Sequence, residues 1–258
     1  MSHPEQTKFV ELVRDLNAER LSQARILEVG SFDVYGTFRS MFDSAEEYIG
    51  IDLSDGPGVD RVLSAHEMVV GGEFAGESAG GNFDVVISCE ALEHDPDWRL
   101  TVTNSLTLLR SPGMLVVTCA STGRPEHGTT RTNPEESPGT QSLGWDHYAN
   151  VGLEEFIAHV RSVDPTLQVH AWRNPRIFDL YAVVIKLDAD GQSPFNAPTD
   201  HQVAGIIAST PLVYQMARWP IRVVSAIGGT SRGENFGRHW WTMLSKRMGG
   251  SVRGSQVS

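Results

Sequence analysis

Four short apolar runs at residues 25–29 (RILEV), 47–51 (EYIGI), 83–88 (FDVVIS) and 114–119 (MLVVTC) constrain this chain's fold more than any other feature. All are β-rich, lack proline and end at glycine, aspartate or cysteine. Runs that are apolar on both faces suit strands buried inside a parallel sheet. Between the third and fourth, Trp98, Val102, Leu106 and Leu109 recur at helical spacing before a Ser111-Pro112-Gly113 stop, which predicts a β-α-β unit. Residues 59–63 read as a further strand, and Ser64-Ala65-His66-Glu67 has the spacing of a helix capping box. The glycine-rich stretch 71–82 reads as a flexible surface connection.

Downstream, Leu153, Phe156, Ile157 and Val160 predict a second amphipathic helix, followed by strand-like runs at 167–172 and 178–187. The linker Arg173-Asn174-Pro175-Arg176 is too short for a helical crossover, so these two strands should be antiparallel neighbours. At the N-terminus, Phe9, Val10, Leu12, Val13 and Leu16 alternate with charges at helical spacing and predict a surface helix rather than a secretory signal. The expected architecture is an α/β body over 1–197, containing a long loop at 120–150, and a helical tail over 198–258. A chain of 258 residues with 40% apolar side chains can bury such a core.

Charge narrows the partners. A formal charge of -11 opposes a nucleic-acid surface, which needs clustered cations. From residue 200 onward seven cations stand against two anions, a local +5, so the first 199 residues carry -16. That asymmetry marks the tail as a basic appendage with its own packing role or partner. Two cysteines, Cys89 and Cys119, are too few for a disulfide scaffold and point to a reducing, cytoplasmic setting as two buried thiols. The apolar stretch 203–229 is broken by Gln215, Arg218 and Arg222, unlike a membrane span.

In sheets of this kind, ligands sit beyond the carboxyl ends of the strands. The first such end is Ile26-Leu27-Glu28-Val29-Gly30-Ser31-Phe32-Asp33-Val34-Tyr35-Gly36. Asp52 closes the second run 22 positions after Gly30, the distance at which an acid grips ribose hydroxyls. Both a nicotinamide dinucleotide and S-adenosylmethionine contain that ribose. A pyrophosphate requires G-x-G-x-x-G for close backbone approach, yet Phe32 and Tyr35 fill the second and third glycine positions. S-adenosylmethionine has no phosphate, and Glu28 suits the cation at its amino-acid end.

With these residues the chain resembles the class I S-adenosylmethionine-dependent methyltransferases, in particular the small bacterial type 11 group. ILEVGSFDVYG resembles their first motif, YIGIDLSDGPGVD the second, FDVVISCEALEHDPDW the fourth, and LTLLRSPGMLVVTCAS the strand that follows. The resemblance covers roughly residues 25–187. It implies a Rossmann-like three-layer fold with a seven-stranded sheet of order 3-2-1-4-5-7-6, the seventh strand antiparallel. Carried across, Glu28, Gly30 and Ser31 would line the methionine end, Asp52 the ribose, Leu53 the adenine face, Ala65 and His66 the adenine edge, and Cys89 and Glu90 the sulfonium side. Phe32 departs from the motif's second glycine, and Ser64 from an adenine-contacting aspartate.

Methyl transfer to a hydroxyl requires alignment and a base. His147, in Trp145-Asp146-His147-Tyr148, is the first choice; His127 is the second, and His94, in Glu90-Ala91-Leu92-Glu93-His94-Asp95, the third. The loop 120–150 has the length of a lid or binding loop. Its polar character, with Arg124, Trp145, Asp146 and Tyr148 as acceptor contacts, favours a saccharide hydroxyl over an apolar acceptor. Some sugar and catechol methyltransferases use Mg2+; Glu90, Glu93, Asp95 and Asp146 are the candidate oxygen ligands here. In the tail, Phe236, Trp240 and Trp241 could pack on the core and cover the acceptor, join two copies in a homodimer, or touch a membrane surface; packing is favoured over membrane contact. A nicotinamide-dependent oxidoreductase and a non-catalytic binding protein of the same fold stay open as rivals.

Overall fold

The computed structural model describes residues 4–34, 36–68, 74 and 82–247. Seven strands form one sheet: β1 (Arg25–Val29), β2 (Glu47–Asp52), β3 (Arg61–Val62), β4 (Phe83–Cys89), β5 (Leu109–Ala120), β6 (Gln168–Asn174) and β7 (Asp179–Lys186), in the order β3-β2-β1-β4-β5-β7-β6. The strands β3 through β5 run parallel, while β7 is antiparallel to both β5 and β6. This is the strand order that the family resemblance implies, and the antiparallel pairing of the last two strands is the one that their short linker predicts.

Register decides what stands together. Val29 lies opposite Ile51 on one side and Ser88 on the other, and Ser88 lies opposite Val117. The residues that follow these positions therefore share one edge: Gly30, Asp52, Cys89 with Glu90, and the start of the 120–150 segment.

Side-chain alternation builds two cores on this sheet. Leu27, Ile51, Val86 and Val117 face α3 (Trp98–Leu108) and α5 (Leu153–Val163), which bury Trp98, Val102, Leu106, Phe156 and Val160. Ile26, Ile87, Val116 and Val183 face Phe9, Val10 and Val13 of α1 (Pro4–Leu16) and Leu21 of α2 (Ala18–Leu21). Each such side chain contributes roughly 1.5–3 kcal/mol of burial.

The helices beyond residue 198 begin with α6 (Asp200–Ala208), where Thr199 and Gln202 form a reciprocal capping box and Val203 joins the α1 core. Next come α7 (Leu212–Gly228) and α8 (Thr230–Arg247), which pack on each other; Trp240 donates its indole N–H to the Ala217 carbonyl at 2.9 Å.

Several expectations change. The strand read at 59–63 shortens to two residues, and no helix starts at Ser64: its Oγ accepts from the His66 amide at 3.2 Å in a local turn, satisfying the same group that a cap would. Leu109 starts β5 instead of ending α3, pairing with Phe83. The 120–150 segment is not free of secondary structure, since a 3-10 turn at Pro134–Glu136 leads into the short helix α4 (Pro138–Ser142). Tyr35 and the 71–82 connection lie outside the described residues except for Asn82 and Phe74, the latter buried with its ring centroid 5.4 Å from that of Phe83. Among the described residues, no helix is long and apolar enough to cross a membrane.

Candidate functional site

The turn after β1 is built by close backbone approach. Gly30 adopts φ +81°, and a Cβ there would lie 2.6 Å from the Ala91 Cβ, so the turns after β1 and β4 touch at a position where only glycine fits. Asp52 braces the same turn, accepting from the Phe32 amide at 3.2 Å and from the Leu53 amide at 2.7 Å. Burial raises its carboxyl above the usual range. Phe32, which replaces a motif glycine, finds room because Gly56 has no side chain: a Cβ there would sit 2.2 Å from the Phe32 ring. The glycines of Gly56-Pro57-Gly58 were the sequence signal for this compensation.

Glu28 is buried beneath the turn and accepts a hydrogen bond from the Tyr48 hydroxyl at 2.8 Å. Burial pushes its carboxyl up to about 7. Around these residues lies a cavity open to solvent, lined by Glu28, Gly30, Ser31, Asp52, Leu53, Ala65, His66, Cys89 and Glu90. All nine sequence-predicted cofactor positions thus border one space.

The 120–150 segment roofs that space. The position of a Cβ on Gly139 lies 2.3 Å from Asp52 Oδ1, bringing α4 directly over the carboxylate. Trp145 stacks on His66 with centroids 5.6 Å apart, and His66 Nε2 lies 2.8 Å from Asp95 Oδ1. Glu136, Ser137, Gly139 and Thr140 line the cavity as well. Sequence reasoning did not single them out; the Pro138-Gly139 pair was their one local mark.

At the end of the cavity beyond Glu90, His94 and His127 meet edge to face at 5.0 Å, and the Tyr148 ring closes on both, at 5.6 Å from His94 and 4.9 Å from His127. Burial holds His94 down to about 3 and His127 well below its usual value, so both imidazoles are neutral bases. Glu93, fully buried beside them, is pushed up to about 8 by burial and by the charge of Glu90.

Other sequence candidates sit elsewhere. His147 and Asp146 do not line this cavity. Asp146 accepts from the Thr130 amide at 2.7 Å and pairs with Arg131 at 2.9 Å, which makes it a staple within the loop. Arg124, expected at an acceptor, is buried and pairs with Glu90 at 2.6 Å and Asp179 at 2.9 Å, two strand-end acids brought together by the sheet order. Tyr148 donates its hydroxyl hydrogen within the loop, to the Asn150 Oδ1 at 3.0 Å. The four oxygen ligands considered for Mg2+ do not converge. Glu90 is engaged by Arg124 and Gln6, Asp95 by His66 and Thr101, Asp146 by Thr130 and Arg131, and Glu93 accepts from the Ala120 amide.

No family model and no curated protein matches the sequence. Among solved structures, an S-adenosylmethionine-dependent methyltransferase from Mesorhizobium loti aligns with 72% of this chain and 99% of its own at 14% identity and a TM-score of 0.50. The fold is that of the S-adenosylmethionine-dependent methyltransferases. Two further structures with this methyltransferase fold align less closely. The 1,6-didemethyltoxoflavin-N1-methyltransferase of Burkholderia thailandensis, solved with 1,6-didemethyltoxoflavin and S-adenosylhomocysteine, covers 70% of this chain and 80% of its own at 14% identity and a TM-score of 0.46. The N-methyltransferase NodS of Bradyrhizobium japonicum, solved with S-adenosylhomocysteine, covers 72% and 89% at 13% identity and 0.44.

Proposed function

We propose that this chain is an S-adenosylmethionine-dependent O-methyltransferase whose acceptor is the hydroxyl of a polar molecule, best matched by a sugar or oligosaccharide. The observation that carries the reading is a single cavity with Asp52 and Gly30 at one end and two neutral imidazoles, His94 and His127, at the other. The residues present fit the cofactor. Asp52 would take the ribose hydroxyls, Leu53, Ala65 and His66 under Trp145 the adenine, and Glu28, Gly30 and Ser31 the amino-acid end, where an ammonium would favour the ionised form of Glu28. When bound, the cofactor supplies an electrophilic methyl group on sulfur.

The chain's own part is alignment and proton removal. His127 places Nδ1 3.3 Å from the Pro125 carbonyl, so its hydrogen points there and the Nε2 lone pair is the basic one. That makes His127 the preferred base over His147, which lies off the cavity. Ser137, Thr140 and Glu136 add hydroxyl and carboxylate groups to the cavity wall, which suit a polyol better than a lipid. The tail would serve as cover: Glu234 of α8 accepts from the Gly123 amide at 3.0 Å, and Arg238 pairs with Glu126 at 2.7 Å. Cys89 and Cys119, both free and buried, suit a protein working in the reducing cytoplasm.

The test is a thermal-shift titration with S-adenosylmethionine, S-adenosylhomocysteine and NADH, followed by mass spectrometry of a sugar panel. A ligand at 100 times its dissociation constant adds about 2.7 kcal/mol. Stabilisation by the first two and a methylated sugar are the expected results. Stabilisation by NADH alone would overturn the reading, and transfer to an amine or carbon acceptor but no hydroxyl would overturn its O-methyl part.

A further inference from the structure

Glu93, His94 and His127 gather ligand atoms beside the cavity, the first two buried and the third largely so. The carboxylate of Glu93 and ring nitrogens of His94 and His127 all offer ligand atoms within 4.8 Å of one another. Glu93 Oε1 is fixed by the Ala120 amide at 3.1 Å, while Oε2 is buried without a hydrogen-bond partner. His94 Nδ1 is likewise buried without one, its ring being held by a hydrogen bond to the His147 backbone. The Nδ1 of His127 faces the Pro125 carbonyl, which leaves Nε2 as a lone pair 3.8 Å from Glu93 Oε1, too far for a hydrogen bond. Buried polar atoms without partners carry a cost, and a bound ion is one occupant that would remove it, displacing the proton of Glu93. The outer contacts are those of metal-ligating histidines, which turn the second nitrogen toward a backbone carbonyl. The rings have little room to turn away, since a Cβ on Gly128 would already lie 2.5 Å from His94 Cε1.

We infer that Glu93, His94 and His127 form a binding site for one divalent transition-metal ion, with its remaining coordination positions open to the cavity. Two imidazoles and one carboxylate select a borderline ion such as Zn2+ or Co2+ over Mg2+, which takes oxygen donors and keeps its water. Three protein ligands with open positions are the arrangement of catalytic rather than structural sites. His94 and His127 both line the cavity, so an oxygen of the acceptor is the group placed to complete the shell. With the ion bound, His127 Nε2 would be a ligand and not the base, and the ion would take over the task of acidifying the acceptor hydroxyl. The ligand atoms stand farther apart than in a closed metal site and must draw together on binding, a movement of side chains rather than of strands. The site differs from the all-oxygen set expected from the sequence: of those four acids it keeps only Glu93. The acceptor role rests on the proposed function; the metal site itself does not.

The experiment is titration of chelator-treated full-length protein with Zn2+ by calorimetry and with Co2+ by visible absorption, without cofactor or acceptor. One equivalent should bind, with Co2+ d–d bands of nitrogen and oxygen coordination. Glu93→Gln and His127→Ala should each weaken binding beyond the ~10–100-fold typical of losing an outer-shell partner, and His147→Ala, which keeps the backbone carbonyl, should bind as the parent does. Circular dichroism and S-adenosylhomocysteine binding of each variant separate loss of the site from loss of the fold. Zn2+ and Co2+ binding no tighter to the parent than to a folded His94→Ala/His127→Ala variant would overturn the inference. S-adenosylhomocysteine binding without metal binding removes the inference and leaves the proposed function standing, whereas metal binding without cofactor binding upholds the site and removes that reading.

Discussion

Gly139 stands so close to Asp52 that a Cβ on it would lie 2.3 Å from the Asp52 Oδ1, which ties the roof loop to the carboxylate closing β2. Any side chain at 139 must push α4 or the Asp52 carboxylate aside. Gly139→Val is therefore expected to weaken S-adenosylhomocysteine binding at least tenfold, or about 1.4 kcal/mol. Its melting temperature should stay near that of the parent, because α4 is outside both cores. Isothermal calorimetry with a parallel melt checks both.

Gly30→Ala combines a left-handed backbone with a Cβ 2.6 Å from that of Ala91. The strain alone costs about 1–3 kcal/mol, and relief by separating the two turns would widen the cofactor end of the cavity. Urea denaturation should show the loss of stability, and calorimetry a loss of cofactor affinity beyond it.

Much of the fold was legible because its determinants are local. Runs apolar on both faces name parallel strands, and a four-residue linker between two of them leaves only an antiparallel turn. Asp52 was legible for the same reason, at a fixed distance from Gly30 along one β-α-β path. What was hidden depends on non-local meetings. Arg124 reads as a free cation in a polar loop, yet it is neutralised by Glu90 after β4 and Asp179 at the start of β7, residues that only the strand order brings together. Asp95 looked like a metal ligand, and nothing in the spacing announced that His66, 29 positions earlier, would hold it. Ser64 to Glu67 fit a helix cap, but a two-residue β3 leads into a turn that meets the same hydrogen bond locally.

Glu28 predicts a pH dependence of stability. Its carboxyl lies near 4.5 in an unfolded chain and at about 7 when folded, so the folded state holds the proton more tightly. The resulting stabilisation is full below pH 4.5 and is lost as pH rises through about 7, an effect on the order of 3 kcal/mol. Glu28→Gln, neutral at every pH, should flatten the decline between pH 5 and pH 8 in denaturant titrations. Cofactor affinity should move the opposite way in the parent, rising toward pH 8 as the site's carboxylate becomes free to meet an ammonium.

Arg124 answers two buried carboxylates at once, and Arg124→Met would leave Glu90 and Asp179 without its charge. Breaking a buried pair in this way costs about 3–5 kcal/mol. The expected outcome is a large drop in the urea midpoint, which a residue serving only to contact an acceptor would not produce.

His127 and His147 separate the two candidate bases by position. His127 presents the Nε2 lone pair at the cavity wall, while His147 lies off the cavity and meets His94 through its backbone. His127→Ala should lower kcat by about 10²–10⁴, the range for removal of a general base, with S-adenosylhomocysteine affinity within a few-fold of the parent. His147→Ala should keep kcat within a few-fold, since the backbone contact survives the substitution. Single-turnover assays on an identified acceptor decide between them. A large kcat loss for His147→Ala alone would move the base to the loop's far side and require the segment to close further over the cavity before transfer.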